Sequence, residues 1–177
     1  MDEPEFTDEM LENLMADRSE EDVRKTAEKA CASAVAYEHL INGVEYLSIE
    51  ETTEGPWRLR PRDPLRGTTA TMEVICKLAS RAWEAIFLDD RDTQSQAELM
   101  MSYSLDSFNP GEVRYFLPHY KRLNQDQEKL REAWSRARRL VTEQEDIIRE
   151  AADALMARRK EGTSRMEGEV IRRFVSE

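Results

Sequence analysis

The two histidines, His39 and His119, are the side chains of this 177-residue chain best suited to metal binding or proton transfer near neutral pH. In helical di-iron proteins a glutamate stands three residues before each histidine ligand. Neither histidine here has a glutamate at that position. The sequence therefore predicts no metal site and no cofactor.

Acidic clusters are the next residues that could do chemistry. Asp89, Asp90 and Asp92 are spaced like the Mg²⁺-binding aspartates of all-α prenyl-transfer enzymes, but no second acidic motif accompanies them. Two ExxD pairs have the spacing seen in all-α nucleotide pyrophosphohydrolases, and the helical pattern turns both pairs toward water. These pairs are Glu143 with Asp146 and Glu150 with Asp153.

Other catalytic signatures are missing from the sequence. It contains no Gly-rich phosphate loop, no nucleophile elbow and no Cys-His constellation. Cys31 and Cys76 stand alone in apolar helical contexts, which favours buried free thiols over metal ligands. We therefore expect a non-enzymatic protein with no catalytic residues.

Composition indicates the fold class and limits the kinds of partner that the chain is expected to bind. Hydrophobic residues make up 40% and charged residues 36%, with six Gly and six Pro, a balance that favours long amphipathic helices. A net charge of -11 disfavours nucleic acid unless basic residues are segregated on one face. No apolar run is long enough to span a membrane, and the first 22 residues are acidic, unlike a secretory signal. The expectation is a soluble, intracellular, all-α multi-helix bundle, cytoplasmic or nuclear.

The first 18 residues form an acidic segment, separate from a bundle domain over 19–177. Thr7 can cap a short amphipathic helix. Its apolar edge could enter a groove on a partner protein or close the chain's own core, and these alternatives have about even weight. The residues of this edge are Phe6, Met10, Leu11 and Leu14.

The rest of the chain predicts helices separated by one long loop. A helix is expected from about Glu20 to Leu47 and another from about Thr69 to Leu88. Between them, the prolines and glycines of 49–67 predict a Pro/Arg-rich loop. A long helix over 119–160 and a terminal helix over 165–176 complete the pattern.

The long helix carries an apolar seam with a 3-4 spacing, wider than the seam of a two-stranded coiled coil. This width predicts packing within a multi-helix bundle. The seam is longer than the opposing helices, so its far end is predicted to mediate homo-oligomerisation. The predicted self-association residues are Leu155, Val170, Ile171 and Phe174.

Two functional hypotheses follow, from different classes. The first is a helical scaffold or adaptor that self-associates and binds a protein partner of unknown identity. The second is RNA binding through the Arg-rich loop and the basic residues of the long helix, although these arginines could instead pair with surface carboxylates. The loop residues concerned are Trp57, Arg58, Arg60, Arg62 and Arg66.

Overall fold

Helices account for most of the secondary structure, and a small sheet lies beside them. The computed structural model describes residues 19–49, 57–63, 66–67, 69–88 and 127–177. The helices are α1 (Glu20–Leu40), α2 (Ala70–Trp83), α3 (Gln127–Glu143), α4 (Glu145–Lys160) and α5 (Gly168–Ser176), and a π-helical segment (Glu84–Leu88) follows α2. The strands are β1 (Val44–Ser48), β2 (Arg58–Pro61) and β3 (Arg165–Glu167).

Helix α1 packs against α2, α4 and α5. Ser19 caps it by accepting a hydrogen bond from the backbone N–H of Asp22. Several fully buried alanines, including Ala27, Ala30 and Ala34, let the neighbouring helices approach closely. The predicted continuation to Leu47 is wrong, because the chain turns at Gly43, whose φ is +78°. That conformation favours glycine and ends the helix.

The described chain is mostly helical, but it also contains a three-stranded sheet that the all-α prediction did not include. Its order is β2-β1-β3, and both pairs are antiparallel. Strand β2 lies inside the segment predicted as the loop 49–67, and β3 occupies the predicted start of the terminal helix. Leu47 is paired with Leu59 on one side and with Met166 on the other. These three side chains face the core, and Leu47 and Met166 are fully buried.

The apolar seam of the predicted long helix lies in the core. Helix α3 packs against α2, whereas α4 packs against α1. The helical hydrogen-bond pattern continues across Gln144, which separates α3 from α4 and whose N–H donates to the Leu140 carbonyl. Residues 119–126 lie outside the described part of the chain. The buried seam residues are Trp134, Ala137, Val141, Ile148, Ala151 and Leu155.

The residues proposed for self-association belong largely to this core. Leu155 and Ile171 are fully buried, so the premise that Leu155 extends past the shorter helices is wrong. Val170 and Phe174 are partly buried and pack against the same core. Helix α5 packs against α1 and α4, and both Leu155 of α4 and Ile171 of α5 are buried within one chain. The predicted homo-oligomer itself stays a prediction.

A buried carboxylate joins three helices on one side of the bundle. Glu28 of α1 is 4% exposed, and its Oε2 accepts a hydrogen bond of 3.1 Å from Nε1 of the fully buried Trp83. Its Oε1 lies 3.4 Å from Nε of Arg24 and 3.6 Å from a terminal nitrogen of Arg149. The Arg149 guanidinium also lies 5.2 Å from the centre of the Trp83 ring. We call these four residues the Glu28 cluster.

Candidate binding groove

A groove lies where the end of α1 meets the end of α3. Its volume is about 240 Å³ and it is partly open to solvent. Apolar side chains and charged or polar side chains share its lining, so it could hold an amphipathic ligand. The lining residues are His39, Leu40, Ile75, Arg136, Arg139, Leu140, Glu143 and Gln144.

The elements present these side chains for simple geometric reasons. On α3, Arg139, Leu140 and Glu143 follow Arg136 by three, four and seven residues, so the four side chains share one helix face. The last turn of α1 supplies His39 and Leu40, and α2 supplies the buried Ile75. Leu40 and Leu140 are only partly buried, which leaves apolar surface inside the groove.

Two arginines give the described lining of the groove a positive charge. Among the described residues, Arg136 and Arg139 have no ion pair and no side-chain hydrogen bond. The arginines of the Glu28 cluster, in contrast, are paired with carboxylates. In the described part of the chain, the guanidiniums of Arg136 and Arg139 have no ion pair and Glu143 is the one carboxylate in the groove lining, which favours an acidic ligand.

Gln144 adds an unused hydrogen-bond acceptor. Its side-chain amide oxygen is shielded from solvent, and within the described parts of the chain nothing donates to it. A shielded acceptor that accepts no hydrogen bond destabilises the folded state. A ligand with an N–H or O–H group directed at Gln144 would remove this cost.

The structure separates the residues of the predicted Arg-rich loop. Trp57 and Leu59 pack against the core, whereas Arg58 and Arg60 point outward from β2. Nε of Arg62 donates to the Val44 carbonyl oxygen at 3.0 Å, so this arginine secures the hairpin. Arg66 is exposed. The tryptophan and the arginines therefore do not form one shared surface.

The outer face of the sheet carries an aromatic residue that the sequence reasoning missed. The Arg165 guanidinium lies 4.0 Å from the centre of the Tyr46 ring, in a cation–π contact. Arg165 is also paired with Glu167 at 2.7 Å, and Arg60 is paired with Glu45 at 2.8 Å. The carboxylates thus neutralise much of the positive charge on this face.

The residues considered for catalysis lie in separate surroundings. His39 is exposed on the rim of the groove, while Asp89, Asp90, Asp92 and His119 lie outside the described residues. The ExxD carboxylates are exposed, as predicted, and Asp153 is paired with Arg24 at 2.5 Å. Within the described ranges, no group of three or more His, Cys, Asp or Glu side chains is placed to hold a metal ion.

Cys31 and Cys76 are buried free thiols, as the sequence predicted. Burial removes water from both groups and raises the pKa of each thiol far above its usual range. The negative charge of Glu28 raises the pKa of Cys31 further. Thiols held in the protonated form are poor nucleophiles.

Comparison with known proteins gives no further guide to the groove: no protein-family model matches the chain, and no curated protein is detectably similar to it. The helices that the structure describes include none long and apolar enough to cross a membrane. The predicted partner-binding residues Phe6, Met10, Leu11 and Leu14 lie outside the described part of the chain.

Proposed function

We propose that this chain is a non-enzymatic helical adaptor that self-associates and binds a protein partner, and that the groove between α1 and α3 receives an acidic amphipathic helix. The observation that carries the proposal is a pair of arginines, Arg136 and Arg139, which have no ion pair among the described residues and lie beside partly exposed leucines. An amphipathic helix binds such a groove through its apolar edge, with its acidic residues facing the basic rim.

A synthetic helix provides the test without a known partner. A labelled peptide with leucines at helical spacing and glutamates elsewhere should bind the full chain in fluorescence anisotropy. A matched peptide with lysines in place of the glutamates should bind more weakly, because it repels the two arginines. The preference should shrink as the salt concentration rises.

Two charge-reversal variants test whether the acidic peptide binds in the groove. The groove variant Arg136→Glu with Arg139→Glu should lose affinity for the acidic peptide. The control, Arg131→Glu with Arg159→Glu, makes the same change in net charge at two exposed arginines that do not line the groove. Equal affinity in the two variants would refute the proposal.

Nucleic-acid binding is the second candidate, and the outer face of the sheet favours it. Arg58 is exposed and, among the described residues, has no ion pair, and Arg165 covers the ring of Tyr46. The ion pairs made by Glu45 and Glu167 oppose this candidate. The test is binding of single-stranded RNA near physiological salt. If the chain binds and Arg58→Glu abolishes this binding, nucleic-acid binding is favoured over the adaptor function.

A further inference from the structure

We propose that the groove is occupied by residues 1–18 of a second copy of this chain, so that two copies exchange their acidic segments. This inference rests on the proposed function and names the helix that the groove receives. It also replaces the terminal apolar edge as the origin of self-association, because Leu155 and Ile171 are buried within one chain.

Charge and apolar pattern match the segment to the groove. Residues 1–18 contain seven carboxylates and one arginine. The apolar residues Phe6, Met10, Leu11 and Leu14 recur at intervals that place them along one side of a helix. The groove offers partly exposed leucines together with Arg136 and Arg139, which have no ion pair within the described ranges. The segment therefore has the chemistry that we propose for the ligand.

The reach of the chain favours a second copy over the chain's own segment. The segment joins the bundle at Ser19, whereas the groove lies at the opposite end of α1, about 30 Å away at 1.5 Å per residue. A helix from Thr7 to Arg18 would be only about 18 Å long. In the helical form that the sequence predicts, the segment falls short of its own groove. A second copy has no such restriction.

Two full-length variants separate the roles of groove and segment. The groove variant is Arg136→Glu with Arg139→Glu, and the segment variant is Leu11→Ser with Leu14→Ser. Each contact between two copies needs one intact groove and one intact segment. Two copies of the same variant therefore cannot form this contact. Mixing the two restores one of the two reciprocal contacts. If the variants were monomeric because they had failed to fold, mixing them would not restore association.

Sedimentation velocity measures the result. We expect the wild type at twice the chain mass of 20.6 kDa and each variant at the monomer mass. The dissociation constant of the dimer should rise at least about 100-fold in each variant, and an equimolar mixture should recover a heterodimer. The control variant, Arg131→Glu with Arg159→Glu, should stay dimeric.

Three results would overturn the inference: a monomeric wild type, variants that stay dimeric, or monomeric variants that do not associate when mixed. The synthetic-helix assay then distinguishes what has failed. If the groove variant still loses affinity for the acidic peptide, the groove remains a binding site for an acidic helix, and only the exchange of segments between two copies is wrong. If the acidic peptide binds both variants equally, the groove itself is not the binding site.

Discussion

Removing the carboxylate of Glu28 should destabilise the protein through the loss of one buried hydrogen bond more than through the loss of its ion pairs. Arg24 and Arg149 keep side-chain exposures of 45% and 41%, so water screens their attraction to the carboxylate. Trp83 is fully buried, and in Glu28→Ala its N–H would lose its acceptor. A buried donor left without a partner costs about 1–3 kcal/mol.

The magnitude follows from these contributions. The lost charge-assisted hydrogen bond and the stranded indole N–H account for about 2–3 kcal/mol. The two screened ion pairs add about 1 kcal/mol together. We expect Glu28→Ala to lower the free energy of unfolding by about 3–4 kcal/mol, which corresponds to a fall in Tm of about 6–16 °C for a domain of this size. Glu28→Gln keeps an acceptor for Trp83 and should cost about 1–2 kcal/mol.

Urea unfolding monitored by circular dichroism and by tryptophan fluorescence would measure both variants. The decisive quantity is the difference between alanine and glutamine at the same position. If Glu28→Ala costs less than about 0.5 kcal/mol, or if glutamine costs as much as alanine, the hydrogen bond to Trp83 is not the main contribution and the reasoning is refuted.

Three further predictions concern the core. Trp134→Ala should cost about 3–5 kcal/mol, measured by urea unfolding, because Trp134 is 7% exposed and its removal leaves a cavity. A Cβ at position 168 would collide with the Val44 carbonyl oxygen, so Gly168→Ala should cost about 1–3 kcal/mol and lower the Tm. The raised pKa of Cys31 and Cys76 keeps both thiols protonated in the folded state, whereas the unfolded chain releases these protons above a pH of about 8.5. The free energy of unfolding should therefore be unaffected below that pH and should fall above it, by about 1.4 kcal/mol per thiol at pH 9.5. In urea unfolding, a Cys31→Ala, Cys76→Ala variant should show a smaller fall over the same pH range.

The helical part of the fold was readable from the sequence because its signals are local. Ser19 and Thr69 cap the helices that follow them, and each accepts a hydrogen bond from the third residue beyond it. The 3-4 spacing through Trp134 and Ile148 is a direct consequence of helix geometry, and both residues are buried. Such patterns require no knowledge of the rest of the chain.

The strands were missed because their signals are not local. Val44 and Leu47 continue the helical spacing of α1, and β1 has only five residues. Its partners come from a Pro-rich stretch and from a segment far along the chain. Asn42 and Gly43, which has a positive φ, were the nearby sign that the helix had ended.

The groove was also beyond the sequence reasoning, although one signal of it was present. Gln144 is a polar residue between the apolar seam residues Val141 and Ile148, and it lies where α3 gives way to α4. A polar side chain in such a position marks a place where the core is open or where a ligand can supply a hydrogen bond. That Arg136 and Arg139 share one groove with Leu40 and Ile75 could be seen only once the helices were placed in space.

The order of strands β2-β1-β3 also affects how the chain is made. Arg165 follows its partner Ser48 by about 120 residues, a separation that favours slow folding. At ribosomal rates, on the order of ten seconds pass between the synthesis of β1 and that of β3. During this time one edge of β1 is unpaired, and Leu47 lacks Met166 as its neighbour. The nascent chain therefore exposes an aggregation-prone strand edge, and the sheet is completed only after β3 has left the ribosome.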